Sequence, residues 1–137
     1  MQLQIGVKVI ITDESGNTLV LQRAKSDQHD IAETWDIPGG RINVDESLET
    51  ALKRELHEEI GVVPDEIPLL IAAQDIFVTK RDIHVVRLTY RLTTTRFVPT
   101  LGKEHSAFQW VSPHDLTKLN LDNITRQAVF SASDIPL

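Results

Sequence analysis

A helix predicted between Asp45 and Gly61 constrains the fold more than any other stretch of the chain. Asp45 is an acceptable N-cap, Glu46 and Glu49 place carboxylates in the first turn, and Gly61 suits the left-handed residue that ends a helix. At about 100° per residue the apolar side chains fall on one face, so the helix must pack against another layer of the protein. This face consists of Leu48, Ala51, Leu52, Leu56 and Ile60.

Three glutamates lie on or beside this apolar face. Glu59 falls near its middle, Glu55 inside its edge and Glu58 just beyond it. Residues three and four apart are neighbours on a helix, so the three carboxylates can converge on one point. Burying unpaired carboxylates is costly, and the C-terminal end of a helix disfavours negative charge. A divalent cation would remove this cost, and oxygen ligands favour Mg²⁺ or Mn²⁺. The alternative is a solvated acidic helix end.

The composition is typical of an ordinary globular protein. The chain has 137 residues, of which 41% are hydrophobic and 25% charged, and we predict a single domain over residues 1–137. We find no long apolar run and no basic leader, which argues against a membrane span or a secretory signal. The lack of cysteine excludes disulfides and a cysteine nucleophile, and it fits a reducing cytoplasm, where we expect the protein to reside.

The charge balance limits the partners of this chain. A net charge of −6 argues against nucleic acid as a partner, because such binders neutralise phosphates with Lys and Arg. An acidic protein can still bind a phosphorylated small molecule when a metal ion mediates the contact. A homodimer is one assembly that the sequence leaves open.

The remaining segments predict a mixed α/β fold. Residues 3–12 and 18–22 read as one β-hairpin, and residues 69–79 and 83–94 read as a second hairpin. Residues 108–111 form a last short strand, followed by a short helical turn from Ser112 to Leu116 and a terminal helix over 122–131. The predicted architecture is a sandwich in which the acidic helix packs on a curled mixed sheet.

The segment that precedes the acidic helix is suited to close contact with a ligand. Trp35 begins a short extended piece that runs into Gly39 and Gly40, and paired glycines let the backbone turn sharply and approach a ligand. These glycines would direct backbone carbonyls towards the helical carboxylates, although a plain turn remains the alternative. The polar segment 25–34 is predicted to flank or cover the same site.

Three arginines are candidates for the site. Arg23 ends the second predicted strand and Arg41 follows the glycines, and both could contact phosphate or simply face solvent. Arg54 lies away from the apolar stripe of the helix. We expect it to hold a carboxylate by a bidentate pair, with a simple i,i+4 pair to Glu58 as the alternative.

The segment from Gly40 to Val62 resembles the signature of the Nudix hydrolases, G-x5-E-x7-R-E-U-x-E-E-x-G-U, in which U is aliphatic. The match covers 23 of the 137 residues, and so many fixed positions at fixed spacing make a chance match rare. Every fixed position is filled as the pattern requires, by Gly40, Glu46, Arg54, Glu55, Leu56, Glu58, Glu59, Gly61 and Val62.

This resemblance implies an α/β/α sandwich that hydrolyses a nucleoside diphosphate linked to a further group X. It also implies that Arg54 orients the glutamates and that Glu46 supports the junction between loop and helix. The divalent metal ligands implied by the family are the carboxylates of Glu55, Glu58 and Glu59 and the carbonyl of Gly40.

The wider layout is similar to the MutT-like subgroup, small enzymes that split nucleoside triphosphates into a nucleoside monophosphate and pyrophosphate. In this comparison Arg23 would contact substrate phosphates, and Glu104 would be an extra metal ligand or base. Glu55 is the other candidate base, and Arg41 would also steady the phosphates. Candidates for the base pocket, each with a core or capping role as the alternative, are Trp35, Phe77, Phe108 and Asn120.

Other functions on the same fold are less well supported. Hydrolysis of ADP-ribose or of nucleotide sugars is the main alternative. Typical ADP-ribose enzymes have a proline downstream of the signature, and this chain has no proline there; Phe77 falls at about that place. Isopentenyl diphosphate isomerase shares this architecture, but its mechanism resembles one that uses a cysteine, and this chain has no cysteine. A non-catalytic nucleotide sensor would be expected to have a degraded signature, which is not the case here.

Overall fold

The fold is built on a mixed β-sheet. A computed structural model describes residues 1–24, 34–66 and 68–132 of the chain. The strands in this part are β1 (Gln2–Thr12), β2 (Thr18–Arg23), β3 (Trp35–Asp36), β4 (Gly39–Arg41), β5 (Leu69–Val78), β6 (Ile83–Thr93) and β7 (His105–Val111). The helices are α1 (Leu48–Ile60), α2 (Pro113–Leu116) and α3 (Asn123–Ala132), with a short 3₁₀ turn at Thr79–Arg81.

β1 organises the sheet because it pairs with three other strands. It runs parallel to β6 along its whole length, pairs antiparallel with β2 at its C-terminal end, and pairs antiparallel with β4 near its middle, at residues 6–8. β5 pairs antiparallel with β6, and β2 pairs with β3 and β7. The two predicted hairpins are confirmed. The parallel pairing of β1 with β6 joins residues about 80 positions apart, a contact that local patterns do not reveal.

Alternation along β1 distributes its side chains between two helical layers. Val7, Val9 and Ile11 pack with the apolar face of α1 in one core cluster. Ile10 packs on the other face with residues of α3, including Val129. The fold is therefore an α/β/α sandwich with a mixed sheet, as predicted. None of the helices in the described ranges is long and apolar enough to cross a membrane.

The start of α1 differs from the prediction. Ser47, and not Asp45, is the N-cap: its Oγ accepts a hydrogen bond from the backbone N–H of Thr50 at 3.1 Å, and the helix begins at Leu48. Asp45 lies in the preceding loop with a left-handed φ of 68°. The predicted end is confirmed, since Gly61 adopts a left-handed φ of 72°.

Smaller differences concern the last strand and the last helix. β7 begins at His105, three residues before the predicted start at Phe108, because its first residues pair with the end of β2. The terminal helix begins at Asn123, and the side chain of Asp122 accepts the N–H of Thr125 at 2.7 Å. The predicted short helix is confirmed, with Ser112 as its N-cap.

Candidate active site

The glutamates of α1 face the glycines of β4. Glu55 and Glu59 are buried, with 9% and 6% of their surface exposed, whereas the side chain of Glu58 is 56% exposed. Glu59 Oε2 accepts a hydrogen bond from the backbone N–H of Gly39 at 2.8 Å. A Cβ atom at Gly40 would lie 2.5 Å from the carboxylate of Glu55. The absence of a side chain at Gly40 therefore lets the backbone of β4 approach this carboxylate closely.

Arg54 links the loop before α1 to two of the glutamates. Its guanidinium forms a bidentate pair with Glu46, with distances of 2.6 Å from Nε and 2.9 Å from Nη2. Nη1 donates to Glu55 at 2.8 Å and to Glu58 at 3.4 Å, so the bidentate pair and the i,i+4 pair considered from the sequence coexist. The pKa of Glu46 falls to about 2 because Arg54 and the N–H of Asn43 both donate to its carboxylate.

The positive groups around the two buried glutamates do not fully offset the cost of burying their ionised carboxylates. Burial raises the pKa of Glu59 to about 7, although Lys8 and the N–H of Gly39 oppose the rise. Burial also raises the pKa of Glu55, despite its pair with Arg54. A divalent cation among these oxygens would stabilise the ionised carboxylates. The donor set, hard oxygens beside a side-chain-free glycine, therefore fits an ion such as Mg²⁺.

The carboxylates do not form a closed metal cage in this structure. Within the described ranges, no three His, Cys, Asp or Glu side chains are grouped so that they could hold an ion as they stand. The oxygens of Glu55 and Glu59 face Arg54 and the Gly39 amide instead. Ion binding would therefore require Glu58 to move in from solvent towards Glu55 and Glu59, whose contacts with Arg54 and the Gly39 amide each involve one carboxylate oxygen.

The connection between β6 and β7 brings Glu104 to the C-terminal end of α1. The backbone N–H of Thr100 donates to the carbonyl of Ile60 at 3.0 Å, and that of Gly102 donates to the carbonyl of Glu59 at 3.2 Å. A Cβ atom at Gly102 would collide with the carbonyl oxygen of Glu58, so only glycine fits there. As a result Glu104 lines the same cavities as the helical glutamates.

A cleft of about 530 Å³ opens beside these carboxylates. Glu55, Glu59 and Glu104 line one part of it, and aliphatic side chains of β5 and β6 line another. The predicted phosphate contacts Arg23 and Arg41 both line the cleft. Five basic side chains contribute to its wall, namely Lys8, Arg23, Arg41, Arg81 and Arg87.

Four Lys, Arg or His residues of the cleft were not predicted from the sequence: Lys8, Arg81, Arg87 and His105. Lys8 carried a signal, because it interrupts the run of apolar side chains from Val7 to Ile11 in β1, as a functional or ion-paired lysine does. Its Nζ donates to Asp36 Oδ2 at 2.9 Å and to the carbonyl of Ile37 at 3.1 Å. Arg87 is brought to the cleft only by the long-range pairing of β6 with β1, where it lies opposite Gly6.

Asp36 and His105 both interact with Lys8, and His105 also lines the cleft. Burial would raise the pKa of Asp36, but Lys8 holds it below its usual value, so Asp36 stays ionised. Burial and the positive charge of Lys8 lower the pKa of His105, which favours a neutral ring. Its Nδ1 is buried and has no hydrogen-bond partner among residues 1–24, 34–66 and 68–132.

The residues proposed for a base pocket are not brought together at this cleft. Phe77 is 60% exposed and stacks on His84 at 4.4 Å between ring centroids, while its neighbours Ile76 and Val78 line the cleft. Trp35 packs against the core cluster around Ile10, and its backbone N–H donates to the carbonyl of Asn120 at 3.0 Å. Phe108 packs against the core cluster that includes α1. Of the predicted covering segment 25–34, residues 25–33 lie outside the described residues.

The close approach of Gly40 to Glu55 gives a test of the site. Gly40→Ala places a methyl group where the Glu55 carboxylate now lies, and a flexible side chain can turn away without unfolding the protein. We expect at least a tenfold loss of turnover with little change in melting temperature. Enzyme assay and thermal denaturation of the variant measure these two effects. Gly16→Ala is a control for turnover alone, because its φ of 82° strains an alanine and lowers the melting temperature although the site is remote. Unchanged turnover in Gly40→Ala would contradict the close contact with Glu55.

Comparison with known proteins agrees with this geometry. The NUDIX domain family model matches residues 2–132. The CTP pyrophosphohydrolase of Escherichia coli K12 is 33% identical over 135 residues, which cover 97% of this chain and 87% of that protein. The 8-oxo-dGTP diphosphatase of Haemophilus influenzae is 33% identical over 107 residues, which cover 78% of this chain and 74% of that protein.

Solved structures share the same fold. The MutT protein of Methanosarcina mazei superimposes with a TM-score of 0.79 at 25% identity, over 97% of this chain and 94% of that one. The ORF135 protein of E. coli gives a TM-score of 0.78 at 26% identity, over 96% and 91% of the two chains. The family generally uses divalent metal ions. By signature, fold and family match, this chain belongs to the Nudix family and is a Nudix hydrolase.

Proposed function

We propose that this protein is a MutT-like pyrophosphohydrolase that splits a nucleoside or deoxynucleoside triphosphate into the monophosphate and pyrophosphate. Mg²⁺ is the proposed ion, with Mn²⁺ as a substitute. One observation carries the proposal: two buried, incompletely neutralised glutamates adjoin a cleft whose wall holds five basic side chains. The names of the two sequence relatives, which refer to CTP and 8-oxo-dGTP, support the same substrate class.

Glu55, Glu58, Glu59 and the carbonyl of Gly40 would hold the divalent ions. When bound, the ions would neutralise phosphate oxygens and lower the pKa of a coordinated water. Arg54 would keep Glu55 oriented through the contacts that it already makes with Glu46 and Glu55. Glu59 would be kept in place by the Gly39 amide.

The remaining steps need a proton acceptor and groups that bind phosphate. Glu55 and Glu104 are the two candidates for the acceptor. Glu104 is the better placed, because Arg54 already occupies Glu55 and no ion pair is found for Glu104 among the described residues. Arg23 and Arg41 would contact the phosphates from the basic wall of the cleft. A guanidinium there would stabilise charge that develops on the departing group.

The size of the cleft supports a small nucleotide as the substrate. A volume of about 530 Å³ lies within the range of small-molecule sites, and the net charge of −6 disfavours a long nucleic acid. We also propose that the chain forms one domain, which the family match over residues 2–132 supports.

A substrate panel tests this function. We would assay the four dNTPs, the four NTPs, ADP-ribose and nucleotide sugars with Mg²⁺, and identify the products by chromatography. We expect the highest kcat/KM for a triphosphate, with pyrophosphate and the monophosphate as products. A higher kcat/KM for ADP-ribose or a nucleotide sugar, with release of a sugar phosphate, would contradict the proposal.

A further inference from the structure

Three arginines from separate elements line one cleft. Arg41 ends β4, Arg81 ends the 3₁₀ turn after β5, and Arg87 lies in β6. They share this cleft with the carboxylates of Glu55 and Glu59. The cleft therefore combines a group of acids suited to cations with a group of guanidinium groups suited to anions.

The positive charge of this group is poorly compensated within the protein. Among the described residues, neither Arg41 nor Arg81 has a carboxylate within 4.0 Å, and Arg87 reaches Asp122 only at 4.0 Å. Guanidinium groups gathered with so little carboxylate compensation favour a bound anion.

The cleft wall also places the arginines for contact with a ligand. Nη1 of Arg87 donates to Thr125 Oγ1 at 2.9 Å, which fixes that side chain, and within the described part of the chain its other N–H groups make no hydrogen bond. A Cβ atom at Gly6 would make ordinary van der Waals contacts, 3.6 Å from Val85 Cγ1 and 3.8 Å from Arg41 Cδ. The bare backbone at Gly6 therefore leaves space directly beside Arg41.

We infer that Arg41, Arg81 and Arg87 form a phosphate subsite, distinct from the carboxylate group, that binds one phosphate-bearing part of the substrate. The inference rests on the proposed function and adds Arg81 and Arg87 to the phosphate contacts. A guanidinium presents its donors in a fork that matches phosphate oxygens, which makes arginine the suitable residue. The ligand is either the terminal phosphates, which leave as pyrophosphate, or the phosphate that stays on the nucleoside.

Product inhibition of Arg81→Gln distinguishes these two sources. Arg81 is exposed, so the substitution should leave folding unchanged. We expect inhibition of triphosphate hydrolysis by one product, pyrophosphate or the monophosphate, to weaken about tenfold, while the other changes less than about twofold. Selective loss of pyrophosphate inhibition assigns the subsite to the terminal phosphates, and selective loss of monophosphate inhibition assigns it to the nucleotide phosphate.

Lys80→Gln is the matched control. Lys80 is exposed in the same turn and carries the same charge, but it does not line the cleft, so both inhibition constants should stay within about twofold of the wild-type values. Arg81→Lys should retain more inhibition than Arg81→Gln. Unchanged inhibition by both products in Arg81→Gln, or an equal loss in Lys80→Gln, would overturn the inference.

The failure of the proposed function gives a different result. In that case the wild-type protein prefers a nucleotide sugar or ADP-ribose, and the product panel shows it. We would then measure, in Arg81→Gln and in Lys80→Gln, how strongly the nucleoside monophosphate and the sugar phosphate inhibit this other reaction. An effect confined to Arg81→Gln would support the subsite with a different substrate, and equal or absent effects would overturn it.

Discussion

Glu58→Gln is expected to lower kcat for triphosphate hydrolysis by at least about 100-fold, because it removes a charged ligand of the proposed metal site. The fold should not change. The side chain of Glu58 is 56% exposed, and its only contact with Arg54 is a long one of 3.4 Å. The melting temperature of the metal-free protein should therefore stay within about 2 °C of the wild-type value.

Steady-state kinetics over a range of Mg²⁺ concentrations measure this effect. Glu49→Gln is the matched control, since Glu49 lies in the first turn of the same helix and its one ion pair among the described residues is with the exposed Lys53 at 3.0 Å. The control variant should keep wild-type turnover. Wild-type turnover in Glu58→Gln would remove Glu58 from the catalytic set.

Glu59 should make the stability of the metal-free protein depend on pH. Its pKa is about 7 in the folded protein against a reference of 4.5, so the folded state holds the proton more tightly than the unfolded state. This contribution to stability is fully present below about pH 4.5 and is lost as the pH rises through 7. Because each tenfold difference in proton affinity corresponds to about 1.36 kcal/mol, the loss of folding free energy is on the order of 3 kcal/mol.

Urea denaturation of the metal-free protein between pH 5 and 8 isolates this contribution when the wild-type protein is compared with Glu59→Gln. The variant should gain stability relative to the wild type as the pH rises, because a neutral amide replaces a buried charge. Saturating Mg²⁺ should restore the stability that the wild-type protein loses at high pH, and it should not stabilise the variant in this way. A stability difference that stays constant across this pH range would contradict the assignment of an uncompensated charge to Glu59.

Local sequence patterns identified the acidic part of the site because a single helix carries it. Helical spacing alone places Glu55 and Glu59 on the buried side, and the structure confirms their burial. The N-cap was misplaced because Asp45 and Ser47 both suit that position, and the choice depends on how the loop packs. Glu46 then serves the loop, where it accepts hydrogen bonds from Asn43 and Arg54.

The basic part of the cleft depends on tertiary structure and was only partly predicted. Arg81 and Arg87 belong to a hairpin whose alternation shows that neighbouring residues face opposite ways. It does not show which face meets the active site. The same limitation affects Phe77, since Ile76 and Val78 line the cleft and Phe77 does not. The parallel pairing of β1 with β6 determines the face, and no local pattern encodes it.

The direct test of the central claim is calorimetric titration of the metal-free protein with Mg²⁺ at pH 7, in two buffers of different ionisation enthalpy. If a divalent cation compensates the buried acids of α1, the wild-type protein should bind Mg²⁺ and release protons, because about half of Glu59 is protonated near its pKa of about 7. Glu59→Gln should bind more weakly and release fewer protons. Absence of Mg²⁺ binding by the wild-type protein, or identical binding and proton release in the variant, would contradict the claim.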